Sequence, residues 1–100
     1  MDGTTSWGSL PVEVGIYTAA ELRTQWLAQL DQPHEGGHVE LDGSAVEQFD
    51  AAGAQGLLAL AHSLSARGQE LHLTHASHTL ADGCRVLGLA GLLGTREARS

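Results

Sequence analysis

The sequence predicts one α/β domain built on a single mixed sheet of four to five strands, with three to four helices mainly on one face. Three observations lead there. Segments of period-two apolar alternation take turns with segments of helical apolar spacing, in the order strand, helix, strand, helix, strand, helix. That order favours a mainly parallel or mixed sheet with right-handed crossovers. Residues with capping potential stand before each of the three helices, at Thr18, at Asp50 and at Ser77 or Thr79. Finally, 100 residues with 42% apolar content suffice for one core and leave no room for a second domain.

In chain order, residues 1–9 are small and polar and read as a loose lead-in or a frayed first strand. Leu10, Val12 and Val14 alternate with Pro11 and Glu13, a strand pattern that Pro11 places at a sheet edge. Thr18-Ala19-Ala20-Glu21 has the form of a capping box. Behind it, Leu22, Trp26 and Leu30 recur at helical spacing, which predicts a helix from about Ala19 to Asp31, ending before Pro33. A loop follows over His34–Gly37. Val39 and Leu41 define a short strand, and Val46 or Phe49 returns the next connection to the core.

Asp50 is an N-cap for the following helix, whose apolar stripe is Ala54, Leu57, Leu58, Ala61 and Leu64. Gly68 stands where a left-handed C-terminal residue is expected. Leu71 and Leu73 mark another strand. Ser77 or Thr79 caps a last helix with Leu80, Cys84 and Leu87 inward, and Leu89, Leu92 and Leu93 close on the core. Residues 95–100 read as a solvated tail.

Charge excludes several functions. The formal net charge is −7, there is no lysine, and the five cations are Arg23, Arg67, Arg85, Arg96 and Arg99. No basic stripe exists to neutralise phosphates, so no nucleic-acid partner is expected, and an anionic membrane surface is disfavoured. No apolar run is long enough to cross a bilayer, and residues 1–14 lack the regions of a signal peptide. The lone Cys84 forms no internal disulfide and suits a reducing compartment, so a cytoplasmic location is expected.

Catalytic chemistry finds little support. His72, His75 and His78 recur every three residues, but across a strand end, a loop and a helix start, so the spacing defines no common face. His34 and His38 flank a glycine turn without further ligands, and no metal site is expected. Cys84 lies on an apolar stripe and reads as a structural thiol. Glu40 and Asp42 point to one side of a strand and read as solvated. Gly53-Ala54-Gln55-Gly56 lacks the lysine and the glycine spacing of a phosphate-binding loop, so neither a cofactor nor an enzyme is expected. What remains distinctive is the acidic, small-residue helix start Asp50-Ala51-Ala52-Gly53, where backbone N–H groups and little side-chain bulk allow close approach.

An ordered set of segments carries a resemblance. These are VEVGIYTAAEL over residues 12–22, VELD over 39–42, FDAAGAQGLLAL over 49–60, ARGQELHL over 66–73, SHTL over 77–80 and VLGLAGLL over 86–93. Together they resemble the STAS domain of bacterial anti-sigma factor antagonists, across about Leu10 to Gly94. The resemblance implies the STAS fold, one such domain over residues 1–100, and signal transduction through protein–protein interaction. In that family the turn before the second helix is Asp-Ser-(Ser/Thr/Ala)-Gly, and its first serine is phosphorylated by an anti-sigma kinase.

Asp50 and Gly53 match this turn, but the phospho-acceptor position falls on Ala51, so no phospho-acceptor is expected there. An acidic residue common at the first-helix junction is replaced by Gly15. The implied partner-binding surface is Gly15, Ile16, Tyr17, Thr18, Asp50, Ala51, Ala52, Gly53 and Gln55. The implied partner is an anti-sigma factor or kinase, and the role is in transcription regulation. Two further branches with the same fold are similar: STAS proteins of chemotaxis or two-component systems, and the STAS subunit that packs on the ATPase of a phospholipid transporter.

Overall fold

In a computed structural model that describes residues 4–31 and 37–93, the strands are β1 (Thr4–Ser9), β2 (Glu13–Val14), β3 (His38–Asp42), β4 (Gln48–Phe49) and β5 (Glu70–Thr74). Between and after them come α1 (Ala19–Leu30), α2 (Ala51–Ser65), α3 (His78–Val86) and a 3-10 turn over Ala90–Leu92. The strands fall in two ladders, β1-β3-β5 and β2-β4, and every pairing within these ladders is parallel. The predicted α/β class and strand number therefore stand. The expectations for residues 1–3, for His34 and for the tail over 95–100 fall outside the described residues.

One face of β3 and β5 makes the core. Val39, Leu41, Leu71 and Leu73 are buried against Leu57, Leu60 and Leu64 of α2 and Leu22, Trp26 and Leu30 of α1. Leu41, Leu57, Leu64 and Leu80 are almost wholly enclosed, and each contributes about 2 kcal/mol of transfer free energy. The opposite face presents His38, Glu40, Asp42, His72 and Thr74, all half-buried.

The N-terminal segment follows one of its two readings, a first strand, and not the other. Residues 4–9 are an ordered strand on the edge beside β3, not a loose lead-in, and Trp7 packs against the core. Between Ser6 and Ser9 the register with β3 shifts. After that shift the Leu10 N–H still reaches the Asp42 carbonyl, but the Val12 carbonyl instead accepts from Glu47 and Gln48 beside β4. The chain thus changes ladders around Pro11. Leu10 and Val14 stay buried, while Val12 turns out to solvent at 52% exposure, where unbroken alternation would have buried it.

The α2 stripe is rotated. Gly53, Ala54, Leu57, Leu60 and Leu64 are buried, while Leu58 is 41% exposed. A Cβ at Gly53 would overlap the Val14 carbonyl, so backbone meets backbone there and fixes which face of α2 turns inward. In α3, Ser77 is the cap: its hydroxyl accepts from the Leu80 N–H and donates to the Val46 carbonyl. Leu80 and Cys84 are buried as expected, but Leu87 ends the helix and is exposed; Leu89 takes the inward place. Gly68 adopts φ +77°, as its position predicts. Beside it, the Arg67 guanidinium donates to the Leu30 carbonyl and completes the C-terminus of α1, which has no basic residue of its own in its last turn.

Candidate functional site

The start of α2 is held by one side chain. Asp50 is extended at φ −130°, and its Oδ1 accepts the Gly53 N–H at 3.0 Å, the N-cap bond that its position predicts. The other oxygen, Oδ2, accepts the Ile16 N–H at 3.1 Å. The Asp50 N–H donates to the Val14 carbonyl at 3.3 Å. One residue therefore caps α2 and ties it to the segment between β2 and α1. The Gly53 N–H, then the Ile16 N–H, and less strongly the Ala52 N–H, hold the Asp50 carboxyl below the usual carboxylate range; partial desolvation opposes them.

Gly15 is part of this arrangement. A Cβ there would stand 2.6 Å from Asp50 Oδ2, so any larger residue displaces the carboxylate. Glycine at residue 15 makes room for the Asp50 side chain.

Thr18 does something other than cap. It precedes α1 but makes no side-chain bond to the helix. Its hydroxyl donates to the Glu13 carbonyl and accepts the Gly15 N–H, both at 3.0 Å. The Thr18 N–H itself goes to the Gly15 carbonyl. The predicted capping box is therefore not formed, because both of its partners on Thr18 are already engaged in the 15–18 turn.

The residues picked out in the sequence come together here. Asp50 fastens the Gly15–Thr18 turn to the Asp50–Gln55 segment. Ile16 and Tyr17 project from it with 66% and 86% exposure, while Ala51 and Gln55 are also exposed. Ala52 is half-buried, and Gly53 is buried against Val14. Beside Gln55, a groove of about 570 Å³ opens between α1 and α2, lined among others by Ala19, Trp26, Leu27, Ala52 and Gly56. Sequence reasoning missed the groove. Its signal was Leu27, an apolar residue off the Leu22–Trp26–Leu30 stripe and 51% exposed.

The other candidates separate. His72 lies beside His38 and Glu70, whereas His75 Nδ1 is 3.5 Å from Asp42 and His78 Nε2 is 3.0 Å from Asp82. The every-third-residue histidines share no site. Asp42 accepts the Ser44 N–H at 2.8 Å, and hydrogen bonding to Ser44, with a smaller contribution from His75, lowers its carboxyl. Glu40 and Asp42 share the open face of the sheet, and Asp42 shapes a turn. Burial pushes the Cys84 thiol up, against a smaller opposing effect of Arg85, and the side chain is enclosed in the core. Among the described residues no helix is long and apolar enough to cross a membrane.

Parallel strands, three helices and a helix start tied to the preceding β–α junction define a small α/β domain organised around the Asp50 turn. The chain belongs to the STAS domain family, matching the family described as "Mlab, STAS domain" over residues 9–94. Solved structures agree on the fold. The anti-sigma factor antagonist SpoIIAA in its unphosphorylated form superposes with TM-score 0.74 at 16% identity, over 95% of this chain and 85% of that one. A sulfate transporter family protein from Wolinella succinogenes gives 0.72 at 21% identity, over 94% and 74%. The STAS domain of a SulP transporter from Vibrio cholerae gives 0.74 at 18% identity, over 96% and 72%. No curated protein matches the chain at a significant level.

Proposed function

We propose that this STAS domain is a non-enzymatic docking module, and that the Asp50 turn with the adjoining Gly15–Thr18 segment is its protein-binding surface. The observation that carries this reading is the Asp50 carboxylate bridge. It spends two hydrogen bonds on fixing the backbone and leaves Ile16 and Tyr17 exposed beside the start of α2. Exposed apolar and aromatic side chains on a pre-set backbone are what a protein interface uses, since little ordering entropy is lost on binding. The groove between α1 and α2 extends the same surface.

The partner in this reading is an anti-sigma factor or a kinase-like relative, and the setting is the bacterial cytoplasm. The family's phosphorylated serine falls on Ala51, which is exposed and lacks a hydroxyl. Docking is then constitutive rather than switched at this turn. A second reading puts the same surface on a transporter component, such as the ATPase of a phospholipid transporter. A sulfate transporter family protein and a SulP transporter STAS domain, as similar in fold as the antagonist, support a transporter setting. A chemotaxis component is a third partner of the same kind.

Co-purification from the native host, with wild-type protein and the double variant Ile16→Glu/Gln55→Arg, tests the surface and identifies the partner. Both residues are exposed, so the fold is expected to survive. Loss of one specific partner is the expected result, and retention of that partner by the variant removes this surface from consideration. Ala51→Asp sharpens the test. An acidic residue at the first position of α2 is favourable in the free domain, so lost binding with unchanged stability reports a partner packed on the turn.

A further inference from the structure

The open face of the sheet carries a group of side chains that the docking surface does not use. β3 and β5 run parallel with His38 opposite Glu70 and Glu40 opposite His72. Because the inward places are taken by Val39, Leu41, Leu71 and Leu73, these four share the outer face. His38 and His72 stand diagonally across the ladder. Nδ1 of His38 and Nε2 of His72 are 3.1 Å apart, with the rings at 67° and their centroids 4.9 Å apart. Glu70 Oε1 lies 3.3 Å from the same Nε2 and 3.8 Å from the same Nδ1.

Three electron-pair donors thus converge on one point, all within 4.8 Å of one another. With the proton of each neutral imidazole on its other ring nitrogen, both converging nitrogens carry lone pairs beside the carboxylate oxygen, so the three can act together as ligands. A cation between the three donors satisfies them together. The point equidistant from the three atoms lies about 2 Å from each, within the range of zinc–nitrogen and zinc–oxygen bonds.

We infer that His38, His72 and Glu70 form a binding site for a divalent transition-metal ion of the zinc type, clamping β3 to β5 on the open face of the sheet. Two imidazoles and one carboxylate select zinc, nickel or copper over magnesium and calcium, which prefer all-oxygen shells. The side chains of His38 and Glu70 are 45% and 72% exposed, so water completes the coordination. The site is separate from the Asp50 turn and stands whether or not the docking reading does.

The test is zinc titration of tag-free protein by calorimetry at neutral pH. One ion per chain with micromolar or tighter affinity is expected. His38→Ala and His72→Ala should each weaken it about tenfold or more, while His75→Ala and His78→Ala leave it unchanged. Magnesium should neither bind nor raise the melting temperature, whereas zinc should raise it by linkage. In wild-type protein, the His38 and His72 ring signals in NMR spectra should shift on zinc addition and those of His75 and His78 should not; this readout needs no variant to fold. Absence of micromolar binding, or equal zinc affinity in the double variant His38→Ala/His72→Ala, overturns the site.

Discussion

α1 and α2 begin at neighbouring points, each after a residue with capping potential, and they are built differently. Asp50 caps α2 and with its second oxygen also reaches across to Ile16. Thr18 leaves α1 uncapped by any side chain and spends its hydroxyl on Glu13 and Gly15. The difference follows from the number and direction of the acceptors. A carboxylate has two oxygens that point in different directions and can cap a helix and hold a loop together, whereas the single Thr18 oxygen is turned toward Glu13 and Gly15 and away from the N–H groups of α1. Both side chains therefore fix the same object, the 15–18 turn, from opposite sides.

The strongest way to break this arrangement is to push the two segments apart. Gly53→Ala places a methyl group against the Val14 carbonyl, and backbone on both sides prevents a cheap adjustment. It should cost about 3 kcal/mol in urea unfolding. Gly56→Ala, where a Cβ would meet only Trp26 at 3.7 Å, is the matched control and should be neutral or mildly stabilising through helix propensity.

Asp50→Asn comes next and has a signature in pH. The Asp50 carboxyl is lowered in the folded protein, first by the Gly53 N–H and then by the Ile16 N–H. Its ionised form is thus the one that folding favours. That stabilisation is complete above the ordinary carboxylate value and is lost as pH falls through the lowered one. The urea midpoint of wild type should exceed that of Asp50→Asn by a constant margin above about pH 5, and the margin should close toward pH 2. Asp42 is lowered as well, through Ser44, so wild type and variant share that part of the acid response and the difference isolates Asp50. A margin that does not narrow in acid would mean that the carboxylate charge is irrelevant to the bridge.

Thr18→Ala should cost about 1 kcal/mol, the worth of a partly buried hydroxyl bonded on both sides. Thr18→Ser keeps the hydroxyl and should recover most of it. If α1 depended on Thr18 as a cap, helix content would fall with stability; here the far-ultraviolet signal of the folded state should stay the same.

The contrast also shows what is legible in a sequence. Local signals with no competitor were read correctly: Val39/Leu41 and Leu71/Leu73 as strands, Gly68 as a left-handed residue, Asp50 as a cap. Signals that depend on a distant neighbour were not. Leu58 and Leu60 are equally apolar, and the close approach of Gly53 to Val14, with Ala54, Leu57 and Leu64 on the core, sets Leu60 inward. The sequence leaves Thr4–Ser9 open between lead-in and strand, with Trp7 as its single large apolar residue, and the edge of β3 decides it. At the site, the residues were implied by the family resemblance, and the bond from Asp50 to Ile16 spans 34 positions and has no local trace. The same holds for His38 and His72, which only the β3–β5 pairing brings together.

The smallest expected effect is the most specific to the comparison. Glu21 is the residue that a capping box would use to reach back to the Thr18 N–H. That N–H is already given to the Gly15 carbonyl at 3.0 Å, and Glu21 is exposed. Glu21→Ala, which removes both the charge and the acceptor, should therefore change stability by less than about 0.5 kcal/mol, the range of ordinary surface substitutions. What remains is the weak attraction of a negative charge to the start of α1, which salt screens. The measurement is urea unfolding at low and at high salt. A small loss at low salt that disappears at high salt leaves the turn as the sole occupant of Thr18. A loss near 1 kcal/mol that persists in salt would restore the capping box and make the two helix starts alike.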